Sequence, residues 1–551
     1  MVRNLNFKFS IRTYLLLIPL IFLAITASIF YFDRFQSYPS YERVQFNSAG
    51  TTLYANLYYP SRDIHFQDQN PLVIYAHGHG WQKDVDIRPI LELTKRGFFV
   101  AGLDYHQHGE SGGELFDVDP DTGVLGLAQD CSKLLDAIEL LDVYARINSS
   151  QIGLVGHSLG GMVVLMNGAL DDRFTATISW AGVVNASLIE WELDAYNPVN
   201  LINTTDPQNL LVIHGYEDGT VNYTEHALLA QSLTGCPIIN ITDSFFSDHY
   251  LISDTVLIET IKWYEVVFFG SDSKNGPINL TWISIFILII LMLIAMCLTV
   301  LSIIIYSSKF LLKEKREPLI EASKDNSNKK IVALKFVISL ILYVGLWVLT
   351  TEIFELSAIY IAPFIIIGAY ILYKLVMALK DRKMEINKEY IKEEIKSQLN
   401  KGVVVYSVFS GLVFMGFYYL IAFTIPWTLL YPPDFASFIG SFLVFPLYLS
   451  SEIIYRKVFL PLTKFMKSQK RRTLFLSIVI LFIHMYFVFI SFLYFGRPGI
   501  MAAFCAYLMA SVMNSILYHK TKKFSSVLIN SIIINGMFFG STIPVLISLI
   551  L

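Results

Sequence analysis

The sequence predicts two structural classes in one chain: α/β, as a doubly wound, mostly parallel sheet, fused to an all-α multi-span transmembrane bundle. Strands alternate with helices in residues 40–270, which is typical of a parallel sheet covered on both faces. Residues 281–551 contain a series of apolar segments, each near the roughly 20 residues needed to cross a bilayer. The mean hydropathy of +0.52 is too high for a purely soluble protein.

The charge and the cysteine content exclude several classes of protein. The net charge of −3 gives no basic face for nucleic acid, so we expect no nucleic-acid partner. The four cysteines have neither the spacing of a zinc site nor the density of a disulfide framework. We therefore expect no metal and no other cofactor. The cysteines are Cys131, Cys236, Cys297 and Cys505.

Residues 1–35 predict an N-terminal transmembrane anchor. Basic residues, including Arg3 and Lys8, precede an apolar run from Tyr14 to Phe32. This run exceeds the ~7–15 residues of a signal-peptide core, which favours an uncleaved anchor, with cleavage near Ala27 as the alternative. The basic flank predicts a cytoplasmic N-terminus and so places the next domain outside the cytoplasm.

Residues 40–270 have the composition of a soluble α/β domain. The predicted strands are Val44–Phe46, Thr52–Tyr59, Pro71–Ala76, Phe98–Leu103, Gln151–Val155, Ala176–Trp180, Leu210–Ile213 and Pro237–Ile241. The predicted helices are Leu125–Tyr144, Met162–Leu170, Val221–Leu233 and Leu251–Val267. The first two strands are expected to form a hairpin. The stretch Val183–Asn209 has no clear period and lies where a small cap could cover a site.

Glycosylation motifs support an exterior location for this domain. N-x-[ST] sequences occur repeatedly before residue 281 and nowhere after it, so we expect a glycoprotein. They begin at Asn148, Asn185, Asn203, Asn222, Asn240 and Asn279.

Residues 281–551 predict a polytopic transmembrane domain of about eight helices. The candidate spans are 281–306, 332–350, 356–377, 403–425, 435–455, 473–495, 500–518 and 524–550. Four basic linkers fall on the cytoplasmic side if the anchor enters from the cytoplasm, whereas the opposite linkers carry almost no Lys or Arg, Arg497 excepted. These linkers are Lys309–Lys330, Lys380–Lys401, Arg456–Arg472 and Lys520–Lys523.

A G-x-S-x-G sequence marks the centre of the exterior domain. Gly156, His157, Ser158 and Gly160 lie between the predicted strand Gln151–Val155 and a predicted helix. This is the setting of a nucleophile elbow, where the turn strains the serine backbone and glycines let strand and helix pass closely. An idle serine in a Gly-rich turn is the simpler alternative, and the flanking and downstream residues disfavour it.

Two further residues lie at positions suited to the acid and the base that would activate a serine nucleophile. Asp218 follows the strand Leu210–Ile213, and His249 lies in the loop before the last helix. In the order Ser, Asp, His, the histidine takes the proton of Ser158 and the carboxylate fixes the tautomer of the imidazole. Alone, Asp218 could be a turn carboxylate and His249 a surface histidine, but the order of all three makes chance a poor explanation.

An oxyanion hole needs two backbone N–H donors. One is expected from Leu159, directly after the serine, and the other from the loop His77–Trp81 after an early strand. We assign the second donor to the N–H of His79. Two H-x-H pairs, at His77 and His79 and at His106 and His108, could also bind zinc, but a metal would compete with the oxyanion hole.

The motifs together resemble the α/β-hydrolase superfamily, in the branch of serine aminopeptidases, monoacylglycerol lipases and acyl esterases. The resemblance covers residues 40–270 and rests on H-G-H-G, D-Y-H-Q-H-G-E-S-G-G, G-H-S-L-G-G, H-G-Y-E-D-G-T-V and D-H. In the second motif Glu110 and Ser111 replace a usual glycine. The resemblance implies Ser158, Asp218 and His249 as the catalytic residues.

The end of the membrane region resembles a second family with less of its pattern intact. Ser451, Glu452 and Arg456 resemble the E-E-x-x-x-R motif of the CAAX-protease and bacteriocin-processing intramembrane protease family. His484, Ser531 and Asn535 occupy later motif positions within residues 430–551. Serine replaces a glutamate and a histidine of that family, which implies an inactive copy. A simple helix-end pair of Glu452 with Arg456 is an equal alternative.

We therefore expect a multi-pass cell-membrane protein whose exterior domain is a serine hydrolase. The substrate is expected to be a small molecule, lipid or peptide that contains an ester, thioester or amide, and membrane lipid is the other expected partner. A serine peptidase is one alternative. A transporter or receptor whose hydrolase-like domain only binds ligand is another, which the complete triad disfavours.

The predicted topology can be tested by cysteine accessibility. A cysteine introduced near Asn203 should react with an impermeant maleimide on intact cells, because residues 40–270 are expected outside. A cysteine near Lys388, in a basic linker, should react only after permeabilisation. The reverse pattern would refute this topology.

Overall fold

The computed structural model describes most of the chain. The described residues are 11–36, 39–60, 69–245, 247–271, 276–312, 329–354, 358–380, 393, 395–422, 439, 441–443, 445–466, 468–495 and 498–539. They form two compact units, the first of residues 25–291 and the second of residues 292–539 together with 11–24, and each unit is described by itself.

The first unit contains one sheet of eight strands. Its strands are β1 Tyr41–Ser48, β2 Thr51–Tyr58, β3 Asn70–Ala76, β4 Phe99–Asp104, β5 Ile147–His157, β6 Ala176–Trp180, β7 Leu210–Gly215 and β8 Ile238–Ile241. The strand order is β1-β2-β4-β3-β5-β6-β7-β8. The first two strands form the expected hairpin, and β2 also pairs antiparallel with β4. The other strands run parallel, which confirms the predicted sheet class.

Both faces of the sheet are covered by hydrophobic packing. Alternate residues of β3 enter two different cores: Leu72 and Ile74 pack on one face, and Val73 and Tyr75 pack on the other. Successive side chains of a strand point to opposite faces, so an apolar run such as Pro71–Ala76 requires cover on both sides. This is why the middle strands of the sequence show no alternation of polar and apolar residues.

The helices of the first unit include the four predicted ones in the expected order and two, Arg88–Lys95 and Pro198–Leu201, that were not predicted. They are α2 Arg88–Lys95, α3 Asp130–Glu139, α4 Leu159–Leu170, α5 Pro198–Leu201, α6 Tyr223–Thr234 and α7 Asp254–Phe269, and α1 Ile11–Gln36 precedes the sheet. The prediction of one helix over Leu125–Tyr144 was too long. The structure has 3₁₀ turns at Gly126–Ala128 and Asp142–Arg146 on either side of α3, because apolar periodicity continues through residues that pack without being helical.

The aperiodic stretch 183–209 contains only short turns and α5. Its 3₁₀ turns are Ala186–Ile189 and Asp194–Tyr196. The start of this stretch is fixed by the buried His226 of α6, whose Nδ1 atom accepts a hydrogen bond from the Val184 N–H at 3.1 Å. Trp191 contacts Phe116 edge to face, with ring centroids 5.4 Å apart. The stretch is therefore held to the domain at its start and at Trp191.

The second unit consists of helices. Their ranges are Trp282–Leu311, which begins in the first unit, and Lys329–Phe354, Ala358–Lys380, Lys401–Ala422, Phe445–Ile453, Gln469–Phe495, Pro498–Thr521 and Phe524–Ile534. Three segments of the described chain are long and apolar enough to cross a membrane: Trp282–Leu311, Lys329–Thr350 and Lys401–Leu420. The bundle of about eight spans stays a prediction. Much of the predicted basic linkers, and the last span after residue 539, lie outside the described residues.

Two π-helical segments interrupt this unit. Ile454–Phe459 continues directly from the helix Phe445–Ile453, and Asn535–Phe539 continues from Phe524–Ile534. A π-turn inserts one extra residue per turn and re-aims the side chains around it, and such segments often occur at functional sites.

Candidate active site

The strained turn at Ser158 is present as expected. Ser158 has φ 56° and ψ −116° between the end of β5 and the start of α4. A Cβ atom at Gly156 would lie 2.1 Å from the Gly160 carbonyl oxygen, and one at Gly160 would lie 2.2 Å from the Ala76 carbonyl oxygen. Only glycine allows these approaches, which bring the first turn of α4 against both β3 and β5.

The three residues of the predicted triad are joined by hydrogen bonds. His249 Nε2 lies 3.1 Å from Ser158 Oγ, and His249 Nδ1 lies 2.8 Å from Asp218 Oδ2. An ionised carboxylate only accepts hydrogen bonds, so Nδ1 carries the proton and Nε2 is the acceptor for the serine hydroxyl. This tautomer is the one that can remove the hydroxyl proton.

Asp218 is buried and held as an anion. Burial by itself raises its pKa, but the hydrogen bond and charge of His249 and the backbone N–H groups of Val221 and Thr220 outweigh burial and lower it. Its Oδ1 accepts those N–H groups at 2.9 and 2.8 Å. The carboxylate is therefore locked in place and oriented toward His249.

The loop that carries the assigned oxyanion donor packs on the elbow. A Cβ atom at Gly78 would lie 3.6 Å from Ser158 Cβ, which places the loop His77–Trp81 directly beside the serine. The Gly80 N–H donates to His108 Nε2 at 3.1 Å, which fixes the fold of the loop. The residues assigned as oxyanion donors, His79 and Leu159, thus belong to the two segments that meet at Ser158.

Three of the four histidines considered for zinc, His77, His106 and His108, make hydrogen bonds. His106 Nδ1 lies 2.9 Å from Asp130 Oδ2, and His108 Nδ1 donates to the His106 carbonyl oxygen at 2.9 Å. His77 Nδ1 lies 2.8 Å from the Gly78 carbonyl oxygen. These contacts explain the residues as supports of the two loops.

A buried charge network under the site was not found from the sequence. Lys83 Nζ donates to Asp104 Oδ2 at 2.6 Å and to Glu110 Oε2 at 2.7 Å, and Arg43 also pairs with Glu110. Ser111 Oγ donates to the Asp104 carbonyl oxygen at 2.5 Å. Glu110 and Ser111, which depart from the usual glycine pattern, therefore brace the loop after β4. Only the position of Asp104 at a strand end could have indicated this network.

The eight-stranded sheet, the strained turn at Ser158 and the paired Asp218 and His249 are arranged as in the α/β-hydrolase fold. Consistently, residues 73–237 match the model of the Alpha/beta hydrolase family. The chain is 25% identical over 132 residues to a putative hydrolase, YtaP, of Bacillus subtilis, an alignment of 21% of this chain and 44% of the relative. The chain thus spans less than half the length of the curated relative it matches.

Solved structures of hydrolases are also similar to this chain. Est1E from Butyrivibrio proteoclasticus, solved with ferulic acid, has 18% identity and a TM-score of 0.33, covering 40% of this chain and 98% of Est1E. The acylaminoacyl peptidase of Pyrococcus horikoshii has 15% identity and a TM-score of 0.33, and the match covers 45% of this chain and 44% of the peptidase. Likenesses at this level support no statement about activity.

The second unit brings most of the predicted membrane motif together in a buried polar cluster. Arg456 Nε donates to Glu452 Oε2 at 3.0 Å, and both residues are almost fully buried. Asn514 Nδ2 donates to Glu452 Oε1 at 3.1 Å and to Ser531 Oγ at 2.8 Å. The Ser451 hydroxyl bonds to the hydroxyl of Tyr343 at 3.0 Å. Residues from four helices thus meet around one ion pair.

Asn535 is a motif residue whose hydrogen bond lies outside this cluster. Asn535 donates to the Ser441 carbonyl oxygen at 2.8 Å and not to Glu452. The resemblance to the intramembrane protease family implies that His484 lies close to Glu452. The side chain of His484 lies outside the described part of the structure, so this contact stays a prediction. Sequence reasoning missed Asn514, although an amide within an apolar helix could have indicated a buried partner.

Several buried histidines of the first unit have pKa values shifted from the ordinary value. Burial is the largest cause that lowers the pKa of His157 to about 3 and of His226 to about 4, from an ordinary 6.5. Burial also lowers the pKa of His108 and of His214. His106 has the opposite shift, because hydrogen bonding to Asp130 and its charge outweigh burial.

We predict that the unit loses stability as the pH falls from 6.5 toward 4. In that window the unfolded chain binds protons at histidines that stay neutral in the folded state, so acid favours unfolding. The raised pKa of His106 contributes in the opposite sense, but four described histidines have lowered pKa values and outnumber it. The thermal midpoint of the unit, followed by circular dichroism, should fall steadily over this range.

His226→Asn is the matched variant for this prediction. The amide oxygen of asparagine can accept from the Val184 N–H as Nδ1 does, but asparagine binds no proton. The free energy of unfolding of the variant should therefore depend less steeply on pH, by the equivalent of up to about one bound proton. An unchanged slope would show that His226 is not one of the linked groups.

Proposed function

We propose that the chain is a membrane-anchored serine hydrolase that acts outside the cytoplasm on an ester, thioester or amide. The observation that carries the proposal is the continuous hydrogen-bonded path from Ser158 through His249 to Asp218. The family-model match over residues 73–237 supports the hydrolase class. The exterior location rests on the glycosylation motifs and the basic linkers of the sequence.

The proposed reaction proceeds through an acyl-enzyme. Ser158 Oγ attacks the carbonyl carbon while His249 Nε2 accepts the hydroxyl proton, and Asp218 stabilises the imidazolium. The backbone N–H groups assigned at Leu159 and His79 bind the oxyanion. The imidazolium then protonates the leaving group as the carbonyl–leaving-group bond breaks. Water, deprotonated by His249, attacks the acyl-enzyme and releases the acid.

A serine peptidase and a ligand-binding receptor are the alternatives. The peptidase uses the same three residues on an amide, so a panel of aryl esters, acyl thioesters and aminoacyl anilides with the purified full chain separates it from an esterase. The receptor needs no strained serine, and an outlying backbone such as that of Ser158 is maintained against a cost of about 1–3 kcal/mol. A catalytic role of Ser158 explains this backbone strain better than ligand binding alone.

We predict that a fluorophosphonate probe labels Ser158 in the full chain, because the hydroxyl is paired with an acceptor imidazole nitrogen. Ser158→Ala should lose labelling completely and lose about 10³-fold or more in ester hydrolysis. Labelling would be measured by gel fluorescence and by mass spectrometry of the modified peptide.

Ser111→Ala is the matched control for this experiment. Ser111 is a partly buried serine of the same unit whose hydroxyl braces the loop after β4. It should remain labelled at Ser158. Probe attached to a serine other than Ser158 in the wild type would overturn the assignment of the nucleophile.

We also propose that residues 430–551 serve as a scaffold derived from an inactive intramembrane protease. The support is the use of both carboxylate oxygens of Glu452, one by Arg456 and one by Asn514. A carboxylate engaged in this way is not available to activate water. Ser451 and Ser531 add hydroxyl groups, which with amides and a guanidinium are a poor donor set for zinc.

We predict that Arg456→Leu destabilises the full chain in detergent by about 3–5 kcal/mol, because it leaves the buried Glu452 carboxylate without its cation. The double variant Glu452→Leu with Arg456→Leu should recover much of the loss. The measurement is the temperature at which half of the protein remains soluble after heating.

Lys457→Leu provides the control for lost positive charge, since Lys457 is the adjacent and exposed residue. It should change the midpoint little. A double variant as unstable as Arg456→Leu alone would contradict the ion-pair explanation, and hydrolysis lost in Arg456→Leu at temperatures where the chain is folded would contradict a purely structural role.

A further inference from the structure

His157, the residue before Ser158, contacts the loop that carries His249. Its Nε2 atom lies 2.7 Å from the main-chain carbonyl oxygen of His249, and its side chain is buried. The ring centroids of the two histidines lie 5.1 Å apart. The elbow therefore touches the proposed base twice: through Ser158 at the imidazole and through His157 at the backbone.

The contacts of His157 determine which nitrogen carries its proton. A carbonyl oxygen only accepts, so Nε2 must be the donor. Nδ1 is buried without a hydrogen-bond partner and lies close to Gly78, where a Cβ atom would come within 2.9 Å of it. Burial and the neighbouring His249 lower the pKa of His157 to about 3, so the ring stays a neutral donor.

The same ring contacts the loop that carries the assigned oxyanion donor. The ring centroid of Trp81 lies 5.5 Å from that of His157, and Trp81 stacks on Tyr250 at 6.1 Å with nearly parallel planes. His157 therefore lies at the junction of the elbow, the loop His77–Trp81 and the loop of His249. None of these contacts involves the reacting atoms.

Other polar groups also hold the segment after His249, and Phe245 N–H donates to the Ile252 carbonyl oxygen at 3.1 Å. Arg88 donates to the Leu251 carbonyl oxygen at 3.1 Å and is itself paired with Asp86. The charges of Asp86 and Arg88 are the other charged groups that act on His157, in opposite senses. Removing Arg88 would leave a buried carboxylate unpaired, whereas the neutral His157 can be replaced without exposing a charge.

We propose that His157 is a positioning residue, whose Nε2–H bond to the His249 carbonyl holds the imidazole of His249 at the distance required to accept the Ser158 proton. The inference rests on the proposed serine-hydrolase function. Without this bond the loop of His249 keeps its side-chain bond to Asp218 but loses a restraint on its backbone. Misplacement of a catalytic group by about 1 Å costs on the order of 10²-fold in rate.

The test compares His157→Leu and His157→Gln in the full chain. The amide nitrogen of glutamine is the same number of bonds from Cα as Nε2 and can donate to the His249 carbonyl, whereas leucine fills space without donating. With p-nitrophenyl acetate, His157→Leu should lower kcat by about 10- to 100-fold with little change in KM. His157→Gln should restore most of that loss. The labelling rate of Ser158 by a fluorophosphonate should follow the same order.

Ile152→Val, a buried substitution in the same strand β5, controls for loss of stability. It should lower the thermal midpoint without the kcat effect. Equal kcat in wild type and His157→Leu would overturn the inference and leave the proposed function intact. Equal losses in the leucine and glutamine variants would also overturn it, because the donor would not matter. A folded wild type that neither hydrolyses the ester nor reacts with the probe would refute the proposed function and this inference with it.

Discussion

The candidate site depends on the close approach of three backbone segments at Ser158. The turn places the serine in a backbone conformation that costs about 1–3 kcal/mol, and surrounding packing must maintain it. Gly156 and Gly160 allow β5, α4 and β3 to meet at distances that no side chain permits. Once the turn is fixed, the direction of the serine hydroxyl is fixed, and every other element of the site must be placed relative to it.

The parallel sheet supplies that placement. The carboxyl ends of β3, β5 and β7 meet at one edge, and the loops that follow carry His79, Ser158 and Asp218. The loop of His249 reaches the same edge after β8 and is held by donors from other elements. Buried charges brace the loop after β4 at this edge, where Lys83 links Asp104 to Glu110. The geometry of the triad is thus maintained by hydrogen bonds distributed over the whole edge of the sheet.

In the helical unit, two charged residues are buried among apolar side chains. Glu452 and Arg456 are one helical turn apart and neutralise each other, and Asn514 satisfies the remaining carboxylate oxygen. Removing either charge alone would leave the other in a medium where it is costly. A cluster of this kind fixes how four helices pack, whether or not it derives from a catalytic centre.

The sequence by itself determined the sheet class, the elbow and the three residues of the triad. The reason is that apolar runs, glycines and strand-end polar residues obey local constraints of backbone geometry. It overextended the helix around Asp130–Glu139 and missed the Lys83 network, Asn514 and the contact of His157 with His249. Those features join residues distant along the chain, and no local pattern encodes the partner of a buried donor. Only the tertiary structure decided them, because most buried polar groups must find a hydrogen-bond partner within reach.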